Sequence, residues 1–166
     1  MSKLIFGFGD KKAKKIPNSR NILGGKGSNL AEMARLGLPV PPGFTISTKM
    51  CEIFYNSNKK LNKKIKVEIK KELKKIEAKT KKKFGDNNNP LLISVRSGSR
   101  VSMPGMMDTI LNLGLNDKTV EALSKKTAND RFAKDSYRRF IQMYANVVMG
   151  VETHHFEEMI DNYKLT

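Results

Sequence analysis

The apolar positions of this chain change rhythm several times, and each change predicts an element. Residues 4–8 form a short apolar run that reads as a first strand. Helical spacing takes over at 29–36, where Leu30, Met33, Ala34 and Leu36 are apolar and Gly37 is suited to end the helix. Residues 38–46, LPVPPGFTI, read as extended, because three prolines forbid a helix and the end of the segment alternates. Ser47 or Thr48 is placed to cap a helix running to about Asn56. Leu61, Ile65, Ile69, Leu73 and Ile76 then recur at spacings of four, four, four and three, which predicts one apolar stripe along a second helix.

In the later half, residues 91–95 are apolar or small and follow the turn signal Asn87-Asn88-Asn89-Pro90, a pattern that predicts an interior strand with Arg96 at its exit. Residues 109–115 alternate Ile110, Leu111, Leu113 and Leu115 around small or polar positions, as a strand returning along the first would. Everything after Asn116 has helical character: 118–126, then 131–149 with Phe132, Tyr137, Phe140, Ile141, Tyr144, Val147 and Val148 on one broad face, then 154–163. Asn129 or Asp130 can cap the long helix and Gly150 can end it. The predicted class is therefore α/β (α+β). An α/β subdomain at 1–115, carrying a lysine-rich helical insertion at about 59–83, precedes a helical subdomain at 116–166.

Charge modifies this picture less than its total suggests. The net charge is +16, but residues 59–83 hold thirteen lysines against Glu68, Glu72 and Glu77 and so carry +10 of it. Wrapped around an apolar stripe, those lysines read as a solvated helix face. The segment lacks the arginines and aromatic residues that read or stack on bases, so nucleic acid is disfavoured as a partner. One cysteine, Cys51, excludes an intrachain disulfide framework and is expected to be a small buried residue on a helix. No stretch approaches the length of a membrane span, and the apolar run near the N-terminus is too short for a signal peptide. A cytoplasmic protein without a membrane partner is the expectation.

Two elements carry candidate chemistry. Gly24-Gly25-Lys26-Gly27 precedes a helical pattern, so backbone N–H groups at the positive end of the helix dipole and a mobile ammonium group would both favour phosphate. It is not a Walker A loop, since Gly27 follows the lysine and the first glycine of that pattern is missing; a plain turn-and-cap role stays open. The second element is the loop after Arg96. Its guanidinium offers a rigid fork of donors suited to phosphate, and Ser97, Gly98, Ser99, Pro104 and Gly105 allow tight turns. Arg100 adds charge, while Met103, Met106 and Met107 can cover a flat ring or fill a core edge. A salt bridge at the strand end is the structural alternative for Arg96. Asp108 is a lone candidate for magnesium, and the adjacent His154-His155 pair is a poor metal or phosphohistidine site.

Taken together, GGKGSNLAEMARLGLPVPPGFTIST, PLLISVRSGSRVSMPGMMDTILNLGLND and DSYRRFIQMYANVVMGV closely resemble the N-terminal nucleotide-binding region of the pyruvate, phosphate dikinase family. Related dikinases share GGKG and the VRS turn, whereas MPGMMDT is similar to the pyruvate, phosphate dikinase version. The resemblance covers nearly the whole chain apart from the lysine-rich helix. It implies the front part of an ATP-grasp type domain that binds ATP and magnesium. In the family, ATP and phosphate become AMP and diphosphate while a phosphoryl group passes to a histidine on a swivelling domain; a barrel domain then moves it to pyruvate, giving phosphoenolpyruvate. Lys26 and Arg96 match the triphosphate-binding lysine and arginine, Arg96 being the catalytic candidate. Gly24, Gly25, Gly27, Ser97, Gly98, Met103 and Asp108 are the further nucleotide-site candidates, and the loop around Gly105 matches the cover over the nucleotide.

Family members are several times longer. The expectation is a truncated helical subdomain and a fragment, split product or gene relic, active only with a partner supplying the later magnesium carboxylates, the phosphohistidine domain and the pyruvate barrel. The full-length family is expected to be homodimeric. A non-catalytic adenine-nucleotide-binding or dikinase-docking module is the alternative.

Overall fold

Residues 3–9, 16–98 and 108–165 are described by the structure, a computed structural model. Their elements are β1 (Ile5–Phe8), α1 (Ser19–Arg35), β2 (Gly43–Ile46), α2 (Lys49–Asn56), α3 (Lys63–Thr80), β3 (Ile93–Arg96), β4 (Thr109–Leu113), α4 (Thr119–Thr127), α5 (Asp130–Met149) and α6 (Thr153–Lys164). The class is α/β, as the sequence predicts. Packing divides the described residues into two compact units, one built from residues up to Lys81 together with Gly98 and the other from Lys82–Ser97 and the stretch from Asp108 onward. This grouping differs from a boundary at 115. Each unit carries its own two-stranded sheet, and β3 and β4 belong with the helices that follow them.

In the first unit β1 and β2 pair antiparallel, with Ile5 opposite Ile46 and Phe8 opposite Gly43. A two-stranded sheet is marginal in water by itself, and α1 and α3 pack on it. Ile5, Leu23, Ala34, Met50 and Ile65 are buried there; fully burying a large apolar side chain contributes about 1.5–3 kcal/mol. Asn62 caps α3, its side-chain oxygen accepting from the Ile65 N–H at 2.9 Å. Leu61 therefore lies before the helix and is exposed, so the predicted stripe begins at Ile65. Along α3 the lysines are exposed while Glu68, Glu72 and Glu77 are half-buried. Cys51 is exposed on α2, contrary to the expected burial, because its neighbour Met50 occupies the inward position.

In the second unit β3 and β4 form an antiparallel hairpin with Val95 opposite Ile110 and Arg96 opposite Thr109, and with an irregularity between Ile93 and Val95. The predicted interior strand at 91–95 needs correction. Leu91 is buried, but the strand starts at Ile93, and Ser94, Val95 and Arg96 are exposed. Among the described residues β3 pairs with β4 alone, and α5 packs on β4.

The hairpin leads into α4 through Gly114, where φ is +115° and a β-carbon would lie 2.9 Å from the Leu91 carbonyl oxygen. Thr119, fully buried, donates to the Gly114 carbonyl at 2.9 Å and accepts from the Asn116 N–H at 2.7 Å, while the Asn116 side chain accepts from the Lys118 and Thr119 N–H groups. Asn129 caps α5 by accepting from the Phe132 N–H at 2.9 Å, and Gly150 ends that helix with φ +72°. Both termini fall where the sequence places them.

Candidate functional site

Gly24 is the pivot of the first candidate element. Its φ and ψ of 71° and 173° interrupt α1, in a region that only glycine occupies readily. Helical residues therefore run from Ser19 to Leu23 and again from Gly25 to Arg35, with Lys26 in the first turn of the second run. The sequence predicts a glycine loop opening a helix; the structure keeps the helix start but places helical turns before the glycines as well. Those turns are anchored from α2, since Thr48 donates its hydroxyl to the Asn21 carbonyl at 2.7 Å and its N–H to the Ile22 carbonyl at 2.9 Å. Thr48 thus ties two helices together instead of capping α2 with its side chain. Ser19 and Ser28 hydroxyls, 2.7 Å apart, join the two runs of α1.

Gly24, Gly25 and Gly27 are buried and Lys26 is half-buried. Gly27 serves packing: a β-carbon there would lie 2.8 Å from Cγ2 and 3.0 Å from Oγ1 of Thr45 on β2. Thr45 is thus a supporting residue that spacing alone does not reveal, because the contact joins a helix to a strand eighteen residues later. The Lys26 side chain has no ion pair or hydrogen bond among the described residues.

The second element sits at the open end of the β3–β4 hairpin. Arg96 is the last residue of β3 and is exposed, without a carboxylate partner among the described residues. Immediately beyond it, Ser97 donates both its N–H, at 3.1 Å, and its hydroxyl, at 3.0 Å, to the Asp108 carbonyl oxygen. That double bond to one acceptor pins the two stems of the loop. The Asp108 side chain is exposed, and Gly98 is exposed with open space where a β-carbon would sit. The candidates Met103 and Gly105, with the rest of 99–107, lie outside the described residues.

Of the expected residues, Gly24, Gly25, Lys26, Gly27 and Gly98 fall in the first unit and Arg96, Ser97 and Asp108 in the second. Several other cations of the chain sit in ion pairs. Arg35 pairs with Glu32 at 2.6 Å, Lys134 with Asp130 at 2.8 Å, and Arg138 and Arg139 share Asp135 at 2.6 and 2.7 Å. These pairs raise the Arg35 and Lys134 values and lower those of Asp130 and Asp135.

No group of three or more His, Cys, Asp or Glu side chains suited to a metal exists among the described residues. Asp108 supplies one exposed carboxylate, so these residues do not build a magnesium site of their own. His154 and His155 have ring centroids 4.0 Å apart, and His154 Nδ1 lies 3.1 Å from Glu152 on an exposed surface. No described helix is long and apolar enough to cross a membrane.

A family model described as pyruvate phosphate dikinase, AMP/ATP-binding domain, matches residues 20–70 and 59–152. Pyruvate, phosphate dikinase of Clostridium symbiosum is 56% identical over 164 residues, which are 99% of this chain and 18% of that protein. The enzyme of the same name from Rhizobium meliloti (strain 1021) is 51% identical over 164 residues, again 99% of this chain and 18% of the relative. The chloroplastic pyruvate, phosphate dikinase of Flaveria pringlei is 49% identical over 162 residues, 98% of this chain and 17% of that protein. The chain therefore spans about a fifth of the length of these curated relatives.

Proposed function

Because the chain belongs to the pyruvate phosphate dikinase AMP/ATP-binding domain family, we propose that it binds ATP through Lys26 and Arg96 and contributes this nucleotide site to the dikinase reaction. The observation that carries the reading is the family match, which spans residues 20–70 and 59–152 and so includes both Lys26 and Arg96. Lys26 lies half-buried in the first helical turn after the Gly24 break, and Arg96 lies exposed at the end of the hairpin.

Each residue would act on charge. Lys26, on a half-buried stem at the start of the second helical run, supplies a point charge where the helix dipole also favours an anion. Arg96 supplies a planar fork that can hold two phosphate oxygens at once. Ser97, bonded twice to the Asp108 carbonyl, keeps the arginine's end of the hairpin from fraying. Phosphoryl transfer depends mainly on such positioning and neutralisation, and a preorganised cation at the transferring group is worth a few kcal/mol of barrier. Gly25, Gly27, Gly98, Met103, Gly105 and the Asp108 carboxylate complete the proposed nucleotide-lining set. Magnesium would come to this set with a nucleotide that brings its own oxygen ligands.

The overall conversion of ATP, phosphate and pyruvate to AMP, diphosphate and phosphoenolpyruvate would require the further parts that the family resemblance implies: the rest of the nucleotide domain, a phosphohistidine domain and a pyruvate barrel, in a homodimeric whole. Complementation tests this. The chain is joined or mixed with the remaining four-fifths of the Clostridium symbiosum dikinase and assayed for pyruvate-dependent AMP formation. Turnover that disappears in the Arg96→Ala variant is expected. A folded, complemented protein that binds ATP without turnover would instead support a nucleotide-binding module without catalysis.

A further inference from the structure

We propose that the outward face of α3 is a docking surface for a nucleic-acid duplex, held through its phosphates and without reading of bases. The surface is separate from the glycine break, so the inference does not rest on the nucleotide reading.

Charge is divided unevenly between the two units. The described residues of the first hold sixteen lysines and arginines against five carboxylates, and those of the second hold eleven against ten. Within the first unit α3 sorts its charges by side. Glu68, Glu72 and Glu77 are half-buried, and Glu72 lies against the sheet, its Oε2 3.2 Å from where a β-carbon on Gly7 of β1 would sit. Lys63, Lys66, Lys70, Lys71 and Lys74 are exposed and have no carboxylate partner among the described residues. At helical spacing Lys63, Lys70 and Lys74 run along the middle of the outward face, with Lys66 towards one flank and Lys71 towards the other. From Lys63 to Lys74 the helix axis advances about 17 Å, a length over which a duplex carries about ten phosphate charges.

The strip also faces away from α1. Thr45, against which Gly27 of α1 packs, is opposite Phe6 in the sheet, one step from the pair of Gly7 and Phe44, and successive pairs point to opposite faces. Helix α3 therefore covers one face of the sheet and α1, with Lys26, the other.

The occupant follows from charge and from what the face lacks. A row of ammonium groups complements a dense row of phosphates, and a duplex carries one charge per about 1.7 Å, twice the density of a single strand. No arginine or aromatic residue lies in 59–82 to read or stack on bases, which leaves contact with the backbone. Lysine, a point charge on a flexible stem, needs no fixed geometry for that. A lipid surface fits poorly. An interfacial helix buries an apolar face among the headgroups, whereas the apolar side of α3 packs on β1 and β2, and Val67 alone among its described residues is a large apolar side chain left exposed.

Fluorescence anisotropy of a labelled DNA duplex of about 20 base pairs, titrated with the full chain at several salt concentrations, tests the proposal. Contact through the five lysines predicts a slope of log affinity against log salt of about −4 to −5, so binding should weaken several hundredfold between about 50 and 200 mM salt. A duplex of different sequence should bind equally well. Lys70→Gln with Lys74→Gln, at exposed positions, should flatten the slope by about two while circular dichroism stays unchanged. Lys118→Gln with Lys125→Gln, which removes the same charge from the second unit, should leave the slope as it is. A folded chain that leaves the duplex free at about 50 mM salt would overturn the proposal. So would a slope unaltered by the α3 pair, or tighter binding to phosphatidylserine vesicles than to the duplex at the same salt, which would make a membrane the occupant.

Discussion

Gly27 and Thr45 are in such close contact that a β-carbon on the glycine would lie 2.8 Å from the threonine Cγ2. The contact seats the glycine-interrupted helix α1 on strand β2 and so holds Lys26 at a defined place. Gly27→Ala gains helix propensity, worth about 1 kcal/mol, but forces apart a stiff β-branched side chain and a strand. The overpacking cost of about 1–3 kcal/mol should prevail, seen as a lower midpoint in urea unfolding. Adding Thr45→Ala to Gly27→Ala should recover part of the loss, a non-additivity expected of residues in contact.

Gly24 adopts a backbone conformation that side chains resist, with φ 71° and ψ 173°. Gly24→Ala should therefore destabilise the first unit by about 1–3 kcal/mol. Straightening of the α1 break would also displace Lys26, so ATP affinity should fall further in this variant than in Gly27→Ala when both are compared by calorimetry under folding conditions.

Thr119 uses one buried hydroxyl to satisfy both the Gly114 carbonyl and the Asn116 N–H. Thr119→Val keeps the shape and leaves both backbone groups without that partner. Each unsatisfied buried group costs about 1–3 kcal/mol, so thermal melting of the second unit should drop by several degrees.

Acid should weaken the second unit first. Backbone N–H groups of Asn89 and Asn88 hold the Asp86 carboxylate below its usual value, Lys134 does the same for Asp130, and Arg138 with Arg139 for Asp135. A carboxylate lowered in the folded state stabilises above its unfolded pKa, about 3.9 for aspartate, and that contribution is lost as pH falls through the lower folded value. All three are surface groups, so the effect is modest. Melting midpoints should be level from pH 8 to pH 5 with respect to these groups and decline below about pH 4; Asp135→Asn should shallow the decline.

Features written in adjacent residues were legible in the sequence. Asn129 and Gly150 bound α5 because a cap and a terminator act within one turn, and β4 returns along β3 because the alternation at 109–115 is local. The GGKG and VRSGS segments carry the family resemblance for the same reason. Features that depend on distant cover were not. The run at 91–95 looks interior because Leu, Ile and Val are there, yet whether a strand is enclosed depends on what lies beside it, and among the described residues β3 pairs with β4 alone. Cys51 looked like a core residue, but the phase of α2 against the sheet turns Met50 inward instead. The role of Gly27 is invisible without Thr45, which reaches it only after the chain has folded back.

The most direct test of the central claim is a calorimetric titration of the full chain with magnesium-ATP, beside Lys26→Ala and Arg96→Ala variants that melt like the wild type. Saturable binding by the wild type, weakened about tenfold or more in each variant (about 1.4 kcal/mol or more), is the predicted result. A folded wild-type chain that takes up no ATP, or variants that bind it as well as the wild type, would contradict the assignment of Lys26 and Arg96 to the triphosphate.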